Sequence, residues 1–118
     1  MNNGNLEIDI ETFEKKVIAE GNISLVCFIA NWCDPSCLQE LTIRKLAEDF
    51  HDKAFIATVD VDNHDSLAER FGIKTLPTSL IFQDAKLIET MVGFQADEYL
   101  RPYLEFLLTE RERVNPPR

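Results

Sequence analysis

The sequence has few of the residues that would place it in several large classes of protein. It contains 12 basic residues against 21 acidic ones, which gives a formal net charge of −9. A nucleic-acid-binding surface has to neutralise phosphate charge, so this balance excludes a nucleic acid as the partner. The 3 cysteines are an odd number and too few for a disulfide framework. No apolar run approaches the roughly 20 residues that span a bilayer, so we expect no membrane partner.

The chain is long enough to fold without covalent staples. Its 118 residues predict one domain, residues 1–118, with a core that needs no disulfide. We expect residues 1–5 to be a disordered leader and residues 114–118 to be a disordered tail. The first residues lack a basic region followed by an apolar stretch, so we expect no secretory signal and a cytoplasmic location.

Hydrophobic periodicity predicts strands and helices in alternation. The run Ile23–Ala30 is continuously apolar, which is typical of a strand covered on both faces. The order predicts an α/β fold with a mixed central sheet and helices on both faces. The predicted strands are Leu6–Ile8, Ile23–Ala30, Ala54–Asp60, Ser79–Gln83 and Leu87–Val92. The predicted helices are Thr12–Glu20, Asp34–Phe50, Asn63–Phe71 and Glu98–Arg113, with Pro102 expected to kink the last one or delay its start.

The central motif is the stretch Asn31–Cys37, which joins the first buried strand to the longest predicted helix. Asp34 suits the N-cap of that helix and Pro35 suits its first position. Cys33 then lies at the helix N-terminus, where partial positive charge and free N–H groups favour a thiolate. Cys37 follows one helical turn later, close enough for a disulfide if the local geometry allows one.

Four segments resemble the thioredoxin family, in the same order and over nearly the whole chain. They are Val26–Cys33, Val59–Asp62, Phe71–Thr78 and Val92–Gly93. The resemblance implies a thioredoxin-like fold and thiol–disulfide exchange, in which an exposed thiol attacks and a shielded thiol resolves the mixed disulfide. It implies protein disulfides as substrates, a thioredoxin-reductase-type electron donor, and neither a cofactor nor a metal.

The same resemblance assigns roles to individual residues. Cys33 is the expected nucleophile. Pro77 is expected in cis beside it, with the backbone of the preceding residue docking the substrate chain. The expected substrate groove is formed by Trp32, Asp34, Pro35, Leu76, Pro77 and Gly93.

The chain departs from the family motif at the second cysteine. The usual Trp-Cys-Gly-Pro-Cys is replaced by Trp-Cys-Asp-Pro-Ser-Cys. Without a gap, Ser36 occupies the second-cysteine position, and helical spacing puts Ser36 on the buried side and Cys37 off it. With one inserted residue, Cys37 is the shielded thiol and the helix absorbs the extra residue through a bulge or a loosened first turn. Both alternatives keep Cys37 as the resolving thiol.

Two further departures concern proton transfer. Cys27 stands where the family has a buried aspartate, and Thr58 replaces that aspartate's lysine partner, so the usual proton shuttle is missing. Asp34 replaces the motif glycine and places a carboxylate beside Cys33, which opposes thiolate formation. Both changes predict an exchange reaction that is slower or differently poised than in ordinary thioredoxins.

Two other functions stay open on this sequence. A binding module with vestigial or regulatory thiols is favoured by the missing proton shuttle and the displaced cysteine. A metal-handling protein is the third, because thiolates at Cys33 and Cys37 suit Cu(I) or an iron–sulfur cluster shared by two chains. Leu38 and Leu41 fall away from the buried stripe, so they either pack under a loop or form an exposed apolar patch near Cys33.

Overall fold

The computed structural model describes residues 6–114, so the expected leader and residues 115–118 of the expected tail lie outside the described part. Within that part, four strands form one mixed sheet in the order β2-β1-β3-β4. The strands are β1 (Ile23–Ile29), β2 (Phe55–Asp60), β3 (Thr78–Gln83) and β4 (Lys86–Val92). The helices are α1 (Ile10–Thr12), which continues as a π-helix (Phe13–Ala19), α2 (Asp34–Asp49), α3 (Asp65–Arg70) and α4 (Asp97–Val114).

The central strand β1 explains why the core has two halves. It runs parallel to β2 and antiparallel to β3, and all of its residues are buried. Successive side chains on a strand point to opposite faces. One face packs with α2 and α4 through Leu25, Ile43 and Leu104, and the other with the π-helix and α3 through Val26 and Phe13. The predicted α/β fold, with helices on both faces of a mixed sheet, is confirmed.

Three elements near the N-terminus and after β2 differ from their predicted bounds. The segment Leu6–Ile8 makes a single bridge from Glu7 to Thr58 rather than a strand. The first helix is α-helical only over Ile10–Thr12 and then winds as a π-helix, which a search for the 3.6-residue period does not reveal. The helix predicted over Asn63–Phe71 is shorter, because α3 begins at Asp65 and ends at Arg70.

The last helix passes through its proline. α4 begins at Asp97, five residues before Pro102, so the predicted delay of its start is wrong. The proline ring removes one backbone hydrogen bond, and the buried residues Leu100, Leu104 and Leu107 hold the helix on the sheet. Val114, which we had assigned to the tail, is the last residue of the helix.

The β3–β4 connection is a two-residue hairpin turn. Asp84 and Ala85 both have positive φ angles, 52° and 72°, as the two-residue turns of hairpins require. A side-chain nitrogen of Arg111 on α4 lies 2.8 Å from the Asp84 carboxylate. The hydrogen bond from Arg111 holds the pKa of Asp84 below its ordinary value. The turn is thus tied to the helix that packs behind β4.

Candidate active site around Cys33

Cys33 caps the N-terminus of α2. The backbone of Cys33 is extended (φ −109°, ψ 113°), which makes Cys33 the N-cap, and Asp34 and Pro35 are the first two helical residues. The predicted N-cap, Asp34, was wrong by one residue, because proline is accepted throughout the first helical turn. The Cys37 N–H donates to the Cys33 carbonyl over 3.1 Å. The Cys33 sulfur therefore lies at the positive end of a 16-residue helix.

One side of Cys33 faces the loop before β3. Cys33 is partly exposed, and its thiol donates to the Leu76 carbonyl over 3.8 Å. The Leu76–Pro77 peptide bond is cis. The Pro77 carbonyl accepts a hydrogen bond from the Gly93 N–H at 2.8 Å, and the φ of 90° at Gly93 suits glycine. Leu76 thus contacts the sulfur, and Pro77 and Gly93 are joined to Leu76 through the cis peptide bond and a hydrogen bond. We call these three residues the wall.

Trp32 stands on the surface next to Cys33. Its side chain is 67% exposed, and the indole N–H donates to the Asp62 carboxylate over 2.7 Å. The Asp62 N–H in turn donates to the Asp60 carboxylate at the end of β2. Asp62 belongs to the Val59–Asp62 motif, but no role was predicted for it. The sequence offers no signal for this contact, because an exposed indole N–H can also donate to water.

Ser36 and Cys37 point to different sides of α2. Ser36 is 1% exposed, and its hydroxyl has no hydrogen-bond partner among the described residues. Cys37 is exposed, and its thiol donates to the Asn31 carbonyl over 3.5 Å. Because α2 is α-helical from Asp34 onward, it contains no bulge that would turn Cys37 inward. The geometry follows the gapless alternative, in which a serine occupies the shielded position.

Cys27 lies in the sheet, fully buried. Cys27 lies on β1 and pairs with Thr58 on one adjacent strand, β2, and with Ser79 on the other, β3. Burial raises the pKa of Cys27 from 9.0 to about 12, and the Ser79 hydroxyl offsets only part of that rise. Cys27 is therefore a neutral thiol near pH 7 and does not take a proton from another thiol, as a buried carboxylate does.

Gln39 is a buried polar residue that sequence analysis did not single out. Its side chain is 0% exposed, and it makes two hydrogen bonds with the backbone of Gln95. It follows Ser36 by three residues and precedes Ile43 by four, so it belongs to the buried stripe of α2. A polar residue within an apolar stripe was the signal that could have identified it.

The surface beside Cys37 is partly apolar. Leu38 and Leu41 are 59% and 65% exposed, so of the two alternatives the exposed apolar patch is the one observed. Two clefts of about 960 and 460 Å³ lie elsewhere, and neither is lined by Cys33 or Cys37. An exposed apolar patch of this kind suits contact with a macromolecule.

Over the described residues 6–114, no three His, Cys, Asp or Glu side chains are grouped closely enough to hold a metal ion. None of the helices in the same range is both long enough and apolar enough to cross a membrane.

Comparison with known proteins relates the chain to thioredoxins. A family model described as thioredoxin matches residues 5–105. A thioredoxin from Chlorobaculum thiosulfatiphilum is 35% identical over 83 residues, which cover 70% of this chain and 77% of that protein. A thioredoxin from Staphylococcus aureus is 36% identical over 93 residues, which cover 79% of this chain and 88% of that protein.

Proposed function

This chain belongs to the thioredoxin family, and we propose that it is an oxidoreductase that exchanges protein disulfides through Cys33 and Cys37. The observation that carries the proposal is the position of Cys33, which is partly exposed at the N-cap of α2 beside the Leu76 carbonyl. The positive end of a helix stabilises a thiolate, and exposure lets that thiolate reach a disulfide on another protein.

In the first step, the Cys33 thiolate attacks one sulfur of the substrate disulfide. A bond forms between Cys33 and that sulfur, and the other substrate sulfur leaves as a thiolate. The substrate chain lies between Trp32 and the wall formed by Leu76, Pro77 and Gly93. Once Cys33 has lost its proton, it no longer donates a hydrogen bond to the Leu76 carbonyl. That carbonyl is then free to accept a hydrogen bond from an N–H group of the substrate backbone.

In the second step, the Cys37 thiolate attacks the Cys33 sulfur. The Cys33–Cys37 disulfide forms, the bond from Cys33 to the substrate breaks, and the substrate sulfur that was attacked first leaves as a thiolate, so two electrons have passed from the cysteine pair to the substrate. A dithiol donor of the thioredoxin-reductase type then returns two electrons to the pair. The proton of Cys37 passes to solvent, because Cys37 is exposed and Cys27 stays protonated.

The spacing of the two cysteines affects how readily the disulfide is reduced. Cys33 is the extended N-cap of α2, and its thiol donates to the Leu76 carbonyl, whereas the Cys37 thiol donates to the Asn31 carbonyl. A disulfide requires Cβ atoms about 3.5–4.5 Å apart. We therefore expect both hydrogen bonds to break and the start of α2 to distort when Cys33 and Cys37 join. Since distortion raises the energy of the oxidised form, we expect this disulfide to be reduced more easily than an unstrained one.

A second candidate function is a binding module that captures partners without completing the exchange. The observation that favours it is Ser36, a hydroxyl in the shielded position of the motif. Exposed Leu38 and Leu41 supply an apolar surface next to the motif. This candidate predicts that partner capture survives the Cys33→Ser substitution.

The test is reduction of insulin by dithiothreitol, with the parent protein, Cys33→Ser and Cys37→Ser compared at equal concentration. We expect Cys33→Ser to give only the uncatalysed rate. When reduced Cys37→Ser is mixed with insulin without dithiothreitol, we expect a mixed disulfide to accumulate on a non-reducing gel, because the resolving thiol is missing. Equal rates for the parent and Cys33→Ser would overturn the proposed reaction, and retained partner capture by Cys33→Ser would favour the binding module.

The proposed compartment is the cytoplasm, where glutathione and thioredoxin systems keep thiols reduced. The 3 cysteines are an odd number and too few for the disulfide framework of a small secreted protein, which supports this proposal. Labelling of thiols in rapidly acidified cells measures the redox state of Cys33, and we expect this thiol to be mostly reduced.

A further inference from the structure

Gln39 connects α2, the helix that follows Cys33, to the wall formed by Leu76, Pro77 and Gly93. The Gln39 side-chain N–H donates to the Gln95 carbonyl over 2.9 Å, and its oxygen accepts from the Gln95 N–H at 2.6 Å. One amide group thus satisfies both backbone groups of Gln95, which lies in the loop between β4 and α4. Neither a carboxylate nor an apolar side chain can do both, because only an amide supplies a donor and an acceptor.

The connection continues from Gln95 to the wall itself. The Gln95 side-chain N–H donates to the Gly93 carbonyl over 3.3 Å and to the Val92 carbonyl over 3.5 Å. Gly93 donates its own N–H to the Pro77 carbonyl, and the carbonyl of the preceding residue, Leu76, accepts the Cys33 thiol. Hydrogen bonds, together with the Leu76–Pro77 peptide bond, therefore link Gln39 in α2 to the wall, and link the wall to the Cys33 sulfur at the start of the same helix.

We propose that Gln39 is a positioning residue, which sets the distance between the Gly93 wall and Cys33 and so determines how well a substrate chain fits. Gln39 is buried and does not contact the substrate, so it acts through Gln95 and Gly93. The inference rests on the proposed exchange function, because it assigns Gln39 to the substrate groove of that reaction. The position of the wall itself is measurable whether or not the chain exchanges disulfides.

The test compares three variants of the full chain with the parent. Gln39→Met keeps a side chain of similar length and removes both hydrogen bonds. Gln39→Glu keeps the acceptor, and only its protonated form supplies the donor. Ile43→Val is the matched control, because Ile43 is 0% exposed on the next turn of the same stripe and the substitution removes only one methyl group.

Amide hydrogen exchange at Gly93 is the first measurement, corrected for the global stability of each variant. We expect Gln39→Met to exchange about tenfold faster than the parent at Gly93, since both backbone groups of Gln95 lose their partners and the loop that holds Gly93 loosens. Ile43→Val should match the parent. In Gln39→Glu, protection at Gly93 should improve from pH 8 to pH 5, because burial raises the pKa of a carboxyl group and protonation restores the donor.

Kinetics with a disulfide-containing peptide give the second measurement. Gln39→Met should raise KM by about tenfold and leave kcat within about twofold, while the rate of Cys33 alkylation by iodoacetamide stays as in the parent. Equal Gly93 exchange in Gln39→Met and Ile43→Val would overturn the inference. The inference would also be overturned if protection at Gly93 in Gln39→Glu did not depend on pH. This second outcome still tests the inference if Gln39→Met fails to fold. A parent that reduces no disulfide would overturn the proposed function alone, since hydrogen exchange still tests the position of the wall.

Discussion

Ser36 and Cys37 are adjacent in the sequence, yet Ser36 is buried against the sheet and Cys37 is exposed at the surface. In the usual family motif the shielded position carries the second thiol, and here it carries a hydroxyl without a hydrogen-bond partner among the described residues. The only other thiol within one turn of Cys33 is therefore on the outside of the helix. This arrangement explains why we propose a strained disulfide and proton release to solvent.

Replacing Ser36 by cysteine should restore a shielded second thiol. We expect Ser36→Cys to raise the rate of insulin reduction about tenfold, equivalent to about 1.4 kcal/mol of barrier, because resolution no longer distorts α2. The substitution should also raise the free energy of unfolding of the reduced protein by about 1 kcal/mol, since a buried hydroxyl without a partner is removed.

Ser24→Cys is the matched control for this prediction. Ser24 is also fully buried and its hydroxyl also lacks a partner among the described residues, but it lies on the opposite face of β1 from Cys27. It should gain similar stability and no activity. An equal rise in activity for Ser24→Cys and Ser36→Cys would show that stability, not the shielded thiol, had limited the rate.

Cys27 should be inert toward alkylating reagents in the folded protein. With a pKa of about 12, about one Cys27 in ten thousand is a thiolate at pH 8, and the side chain is also inaccessible. We expect iodoacetamide at pH 8 to modify two cysteines in the native protein and three in guanidinium chloride, as counted by intact mass. Rapid modification of all three without denaturant would contradict the burial of Cys27.

The same pKa predicts how stability depends on alkaline pH. The folded protein holds the Cys27 proton more tightly than the unfolded chain does, because the pKa rises from 9.0 to about 12 on folding. The resulting contribution to the free energy of unfolding is fully present below pH 9 and is lost as the pH rises from 9 to about 12. Urea unfolding across this range should show a steeper loss of stability for the parent than for Cys27→Ala, and parallel curves would contradict the prediction.

The hydrogen bond between Trp32 and Asp62 should fix the orientation of the indole ring. Asp62→Ala removes the acceptor, and we expect lower fluorescence anisotropy because the exposed ring gains freedom. Trp32 is the 1 tryptophan of the sequence, so the signal belongs to it alone. The loss of stability should stay below about 1.5 kcal/mol, since the bond is exposed to solvent. Asp62→Asn retains an acceptor and should behave as the parent, and equal anisotropy in all three proteins would contradict this role for Asp62.

Much of the fold was predictable because its signals are strong and local. The apolar run Ile23–Ala30 predicted the central strand, and helical spacing alone placed Ser36 inward and Cys37 outward. The start of α2 at Asp34 was predicted correctly, but the N-cap is Cys33 rather than Asp34, because an aspartate suits the first helical turn as well as the cap. The π-helix over Phe13–Ala19 was missed, since its winding depends on packing rather than on a sequence period.

The parts of the site that were not predicted depend on contacts between distant segments. Gln39 and Gln95 are 56 residues apart, and Trp32 and Asp62 are 30 apart. Neither residue of a pair is unusual alone, because a glutamine in a helix and an aspartate after a strand are most often exposed. Only the packing of α2 against the β4–α4 loop shows that the Gln39 amide is buried and what it binds.

The most direct test of the account is to identify which cysteines join when the reduced protein meets a protein disulfide. The products are trapped in acid, free thiols are labelled with a mass tag, and the disulfide is located by fragmentation, because no Lys or Arg separates the three cysteines between Lys16 and Arg44. The account predicts one Cys33–Cys37 disulfide per chain, with Cys27 as a free thiol. A Cys33 that reaches no intramolecular disulfide, while substrate stays attached to it, would contradict the role of Cys37.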